Sequence, residues 1–352
     1  MNRSLQKSSG RQAGVTLVEI MISLVLGLLL LGGIVQVFLG SKQVSRTQEA
    51  LTEIQENGRY ALEIFSRDLR LTGFKGGCHY DATVNSLLNP TGMGGNFILF
   101  DLNEGVRGWD GIAGPDGPGP AGGDMFGYVA NTDAILIKHA AIRTDAIPDG
   151  GTDQDSEQVD LISGTRSGIP RGAIVVVSDV DACDQFQNSV GSGQERVGRS
   201  ASTGSAPGNL DPTTNDFSKT YDDRLVISRF RSAVYYVGDG AFAGQPSALR
   251  RVMFDLGAAQ DEQIAQGLVD LQVMYGVDTN GDRGADQYLS ASAVADWGSV
   301  AAIRVNMLFA STENNVVQAP MTLAFNGGIF NAPDRRMYQV FSTTVGVRNS
   351  LP

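Results

Sequence analysis

Residues 15–40 read VTLVEIMISLVLGLLLLGGIVQVFLG, and residues 41–74 continue as SKQVSRTQEALTEIQENGRYALEIFSRDLRLTGF. The first stretch carries one charged residue, Glu19. As a helix its 26 residues would rise roughly 39 Å, enough to cross a bilayer core. No small-x-small cleavage site follows the apolar run closely, so it reads as a retained anchor, not a removed secretory signal. The second stretch keeps the helical period. Leu51, Ile54, Ala61, Ile64, Phe65 and Leu69 form one apolar stripe, with Arg59, Glu63, Arg67 and Asp68 placed off it. Gly73 is the expected stop. Together the two stretches predict one helix from Val15 to Thr72, roughly 87 Å long. Its first half should project freely and its second half should pack on a globular body. Gly27, Gly32 and Gly33 would permit bending or close helix–helix approach.

Outside this helix about 280 residues remain, enough for a real core. Charged residues are 18% and hydrophobic residues 42%, as in a folded protein. The first fourteen residues hold Arg3, Lys7 and Arg11 and no acid, so the formal net charge of −11 becomes −14 over the remainder. Such an acidic body excludes nucleic acid as the main partner, because phosphate binding needs clustered Lys and Arg. A basic start before an apolar run keeps an N-terminus cytoplasmic. The two cysteines, Cys78 and Cys183, predict one disulfide in an exported chain.

After Gly73 the pattern changes to short strands between turn-rich segments. Residues 92–127 contain twelve glycines and read as a surface loop, as does 191–219. Strands are predicted at 134–139, 158–162, 173–179, 224–230, 233–237, 248–254, 267–277, 300–310 and 337–349. Short helices are predicted near Glu262–Gln266 and Ser290–Trp297. The class is therefore α+β, a long N-terminal helix on a β-rich head with Gly-rich loops.

Glu19 is the anomaly of the apolar run, since a carboxylate in hydrocarbon costs at least a few kcal/mol and is seldom kept without a partner. Together with Gly14 after a short basic leader, it resembles the class III signal of type IV prepilins. Gly14, Val15, Thr16, Leu17, Val18 and Glu19 match that pattern in order, with Val15 where phenylalanine is usual. The resemblance implies cleavage by a prepilin peptidase between Gly14 and Val15 and N-methylation of Val15. It also gives Thr16 and Glu19 a part in filament register, Glu19 pairing with a neighbour's freed amine. The divisions implied are a leader at 1–14, a membrane or filament-core half at 15–40, an amphipathic half at 41–73 and a head at 74–352.

Further segments resemble the PilW family of minor pilins: GFKGGC at 73–78, LVDLQVMYGVDTNGDRGADQY at 268–288, Asp296-Trp297 with the strand after it, and the ending at 341–349. The resemblance implies a single-pass inner-membrane protein with its head in the periplasm, later at the pilus surface. It implies partnership with other minor pilins, the major pilin and the inner-membrane assembly platform, in a complex that primes pilus growth, with a tip adhesin as a further partner. Two other readings stand beside it. One is a large tip pseudopilin of a type II secretion system. The other is a membrane-anchored, adhesin-like surface-binding module using the loops at 92–127 and 191–219.

Asp278, Asn280, Asp282 and Asp286 form D-x-N-x-D-x-x-x-D. Alternate oxygen ligands suit Ca²⁺, yet Arg283 stands where a calcium loop has glycine and Leu289 where it has a bidentate Glu. A polar hairpin turn is the other reading. His79 and His139, in no metal-ligand spacing, read as surface or loop residues. No nucleophile, zinc or phosphate-loop motif appears, so no enzymatic activity is expected.

Overall fold

The computed structural model describes residues 14–79, 81–93, 96–114, 117–242, 245–347 and 349. The leader expected at 1–14 lies outside these except for Gly14. One unbroken helix, α1, runs from Leu17 to Leu71, 55 residues, or roughly 82 Å at the α-helical rise. It passes through Gly27, Gly32 and Gly33 without interruption. Thr72 caps it and Gly73 follows at φ 72°, the left-handed conformation that glycine adopts without penalty.

The head is built from strands β1 (Val84–Ser86), β2 (Val106–Trp109), β3 (Ala134–Arg143), β4 (Gln158–Asp160), β5 (Ile174–Ser178), β6 (Cys183–Gln187), β7 (Arg196–Gly198), β8 (Val226–Gly238), β9 (Ala248–Leu256), β10 (Ala258–Gln266), β11 (Leu268–Val277), β12 (Gln287–Leu289), β13 (Val300–Ala310), β14 (Thr322–Phe325), β15 (Gly328–Asn331) and β16 (Tyr338–Gly346). The α+β class holds, with helix and strand segregated along the chain.

The larger sheet has eight strands centred on β8. One edge of β8 pairs with β3, while β5 and then β9 share the other. Beyond them the sheet runs to β2 past β3, to β6 and β1 past β5, and to β10 past β9. The second sheet is antiparallel, in the order β12-β11-β13-β16. A core of α1, β3, β8, β9, β11, β13 and β16 side chains joins the helix to both sheets. Further clusters lie under the 84–136 segments, against β5 and β6, and beneath the β14–β15 hairpin.

Several expectations are corrected. The strands expected at 224–230 and 233–237 merge into the single strand β8, which pairs with β3 straight through the polar step at Arg231–Ser232. Arg231 Nε lies 3.1 Å from Asp255, and the Ser232 amide donates to the same carboxylate at 3.3 Å. The helix expected near Glu262–Gln266 is instead β10. There Asp261 and Glu262 meet Arg250 and Arg251 of β9, and cross-strand ion pairing overrides helix propensity. Residues 290–297 form two short 3₁₀ turns, Ala291–Ala293 and Trp297–Ser299, in place of a helix.

The segments at 92–127 and 191–219 are not mere surface loops. The first contains β2 and buries Leu99, Phe100 and Leu102. The second contains β7 and buries Arg199, whose guanidinium donates to the Ser156 and Asn215 carbonyls and sits 4.5 Å over the Phe217 ring. Glycine content marked backbone irregularity correctly but not exposure.

Candidate functional site

Among the described residues the first half of α1 has no packing partner. Eighteen large apolar side chains from Val15 to Leu39 are exposed, Leu17 and Val37 each at 74%. None of the most apolar 18-residue window is buried. At about 1.5–3 kcal/mol per large apolar side chain, leaving this surface in water would cost tens of kcal/mol. A bilayer or a bundle of like helices removes that cost.

At its tip, Thr16 is the N-cap, with φ −77° and ψ 150°. Its Oγ1 accepts the Glu19 amide at 3.3 Å, and its carbonyl accepts the amides of Glu19 and Ile20. Thr16-x-x-Glu19 therefore has the spacing of a capping box, and the Glu19 carboxylate lies in the first turn, where the helix dipole favours an anion. Sequence reasoning assigned Thr16 and Glu19 to register and overlooked this local role, although the spacing was legible. Among the described residues the Glu19 carboxylate has no partner.

The second half of α1 packs on the head. The buried positions are Ala50, Ile54, Gly58, Ala61, Phe65, Asp68 and Leu69. Leu51, expected on this stripe, is 39% exposed, and Ala50 takes its place. Gly58 lets the Phe341 ring of β16 come so close that a Cβ would meet it at 2.4 Å. Phe65 packs edge-on against Tyr235 with centroids 4.8 Å apart.

Asp68, expected off the stripe, is 2% exposed. It accepts from Tyr235 Oη at 2.6 Å and from Arg251 Nη1 at 3.2 Å. Arg251 also pairs with Glu262. Asp68 follows Phe65 by three residues, so helical spacing alone would have placed it on the buried face.

His139 adjoins this network and is buried in β3, not on the surface as expected. Burial pushes its pKa down to about 4. The Ala141 amide donates to Nδ1 at 3.2 Å, which assigns the proton of the neutral ring to Nε2, a buried atom without a partner among the described residues. His79, by contrast, is exposed and lies against Asp81.

Cys78 and Cys183 form a disulfide, with Cα atoms 5.9 Å apart. It ties the segment after α1 to β6, beside the parallel Val84–Cys183 register of β1 and β6.

Residues 278–286 form the turn between β11 and β12, and the loop's carboxylates serve its own backbone. Asp278 accepts the amides of Asn280, Gly281 and Arg283 at 3.1, 2.7 and 2.8 Å. Asp286 accepts Thr279 N–H and Oγ1–H at 2.8 and 2.7 Å, and Asp282 accepts the Gly284 amide at 2.8 Å. Asn280 Nδ2 bridges Asp282 and Asp286. These bonds are those of a polar hairpin turn. Among the described residues no group of three or more His, Cys, Asp or Glu is arranged to hold a metal ion.

Two family models match the chain. Residues 9–35 match the prokaryotic N-terminal methylation motif, and residues 234–349 match type IV pilus-assembly protein W, PilW. The second span takes in β9 to β16 and the last five residues of β8, including the segments at 268–288 and 296–310 and the ending. It leaves out GFKGGC at 73–78. No curated protein and no solved structure matches the chain.

Proposed function

We propose that this chain, a type IV pilus-related pilin of the PilW type, is a low-copy minor pilin that joins other minor pilins in the inner membrane to start pilus growth and stays near the tip. The observation that carries the reading is the unpartnered apolar half of α1 ending at the Thr16 cap, inside the segment that matches the methylation motif. In the membrane that half spans the bilayer, with the basic start on the cytoplasmic side and the acidic head in the periplasm.

Cleavage by a prepilin peptidase between Gly14 and Val15 creates an α-amine on Val15, four residues before Glu19, and N-methylation follows at Val15. In an apolar bundle a lone carboxylate and a lone ammonium are each costly, whereas pairing across two subunits relieves both and fixes axial register. The partners are the major pilin, other minor pilins and the assembly platform.

The head supports a low-copy role. At nearly 280 residues it is roughly twice a usual 150-residue domain, so it would bulge from a densely repeated shaft. A large pseudopilin of a type II secretion system shares the helix and its tip, and the PilW match over 234–349 favours the pilus. Intact mass of the protein recovered from sheared pili tests the processing step. Loss of residues 1–14 with one added methyl group is expected, and a full-length chain in pili would overturn it. Deletion should reduce surface piliation while sparing secretion of type II substrates, and the reverse pattern would transfer the chain to the other system.

A further inference from the structure

A cavity of about 480 Å³ lies far along the chain from α1, between the end of β3, the first half of β8 and two loops. The loops are stitched together: the Ser167 amide donates to the Gln194 carbonyl at 3.0 Å, and the Gly168 amide to the Ser192 carbonyl at 3.0 Å. Two guanidinium groups line the space, Arg229 from β8 and the exposed Arg166 from the first loop.

Arg229 is the anomaly. It is half-buried, its Nε is fully buried and unbonded, and among the described residues its side chain has no hydrogen-bond or ion-pair partner. Its neighbours are treated differently. Arg231 pairs with Asp255, Arg250 with Asp261, and Arg251 with Asp68 and Glu262. Asp255 acts on Arg229 through space, but its oxygens are taken by Arg231 and the Ser232 amide, so the charge of Arg229 is met only in part. A half-buried guanidinium without an acceptor is costly, and an anion in the cavity would relieve it.

The rest of the lining narrows the anion. Asp145 at the rim disfavours a doubly charged phosphate over a singly charged group. A planar carboxylate matches the guanidinium fork. Thr144 Oγ1 spends its proton on the Ile227 carbonyl at 2.8 Å and so remains an acceptor, as Asp145 does. No aromatic side chain lines the cavity, so nothing there offers a base a stacking surface.

We propose that this cavity binds an acidic sugar, its carboxylate on Arg229 and Arg166 and its hydroxyls donating to Thr144 and Asp145. The site is separate from Glu19 and the apolar half of α1, so it stands or falls independently of the pilus reading.

The test is calorimetric titration of the full chain in nonionic detergent with glucuronate, glucose and inorganic phosphate. Glucuronate should bind with a Kd of about a millimolar, with glucose and phosphate each roughly tenfold weaker or more. Arg229→Gln and Arg166→Gln should each weaken glucuronate by roughly tenfold. Arg166 is exposed, so Arg166→Gln still decides the matter if Arg229→Gln fails to fold. Glucose binding as tightly as glucuronate, phosphate binding as tightly or more so, no glucuronate binding, or Arg166→Gln binding unchanged would each overturn the proposal.

Discussion

Asp68 and Glu19 are two acids on one helix, 49 residues apart, and the chain treats them differently. Asp68 is buried and finds Tyr235 and Arg251 in its own head. Glu19 sits on a bare apolar rod and finds no side-chain partner among the described residues. The first is solved by folding alone. The second, in our account, is solved only by assembly. The same split runs through the apolar residues, since Ile54, Phe65 and Leu69 are covered by the head while Leu17 to Leu39 are not. One continuous helix thus serves two solvents.

Changes in the head should therefore weaken folding and spare the bare half. The largest effect is expected from Cys78→Ser with Cys183→Ser. The bridge closes a sequence separation of 105 residues, and its loss should lower head stability by up to about 4–5 kcal/mol in the chain-entropy model. Urea unfolding followed by tryptophan fluorescence reads this. An unchanged midpoint would mean that the contacts around β1 and β6 hold that end of the sheet without it.

Asp68→Ala comes next. It leaves the Tyr235 hydroxyl and Arg251 short of a buried partner and should cost about 3 kcal/mol, with Glu262 still compensating part of the guanidinium charge. A loss below about 0.5 kcal/mol would place Asp68 with ordinary surface acids and dissolve the contrast with Glu19.

The smallest effect concerns acid. His139 has its folded pKa lowered to about 4 from 6.5, so the unfolded chain takes up the proton first. Its contribution is present above pH 6.5 and is lost as pH falls towards 4. Asp133 works the other way. Burial raises its folded pKa to about 6, and that cost is relieved as pH falls below 6. Comparing native protein with His139→Asn isolates the histidine. The native protein should lose more stability than the variant between pH 6.5 and 4, by about 2–3 kcal/mol. Parallel pH profiles would show that His139 does not titrate with unfolding.

Much of this molecule was legible in its sequence. The helix, its end at Gly73, the apolar alternation of β13 and the cysteine pair all follow from local pattern. What escaped reading depends on contacts far along the chain. The β10 segment AAQDEQIAQ carries helix-forming residues, and only the arginines of β9 make it a strand. The buried place of His139 is set by β8 and α1, not by its neighbours in sequence. The glycine-rich segment at 92–127 hid β2 because four residues are too few for a pattern. At the candidate site, Thr16 and Glu19 were visible, but their capping arrangement went unread. The network around Asp68 needed the register of β8 and β9.

The account is tested most directly at Glu19. Glu19→Ala should unfold in urea as the native protein does, because its carboxylate touches nothing in the head. Its amount in sheared pili should fall by roughly tenfold or more, the loss of at least 1.4 kcal/mol of register energy. Equal amounts of variant and native protein in pili, with equal head stability, would contradict it.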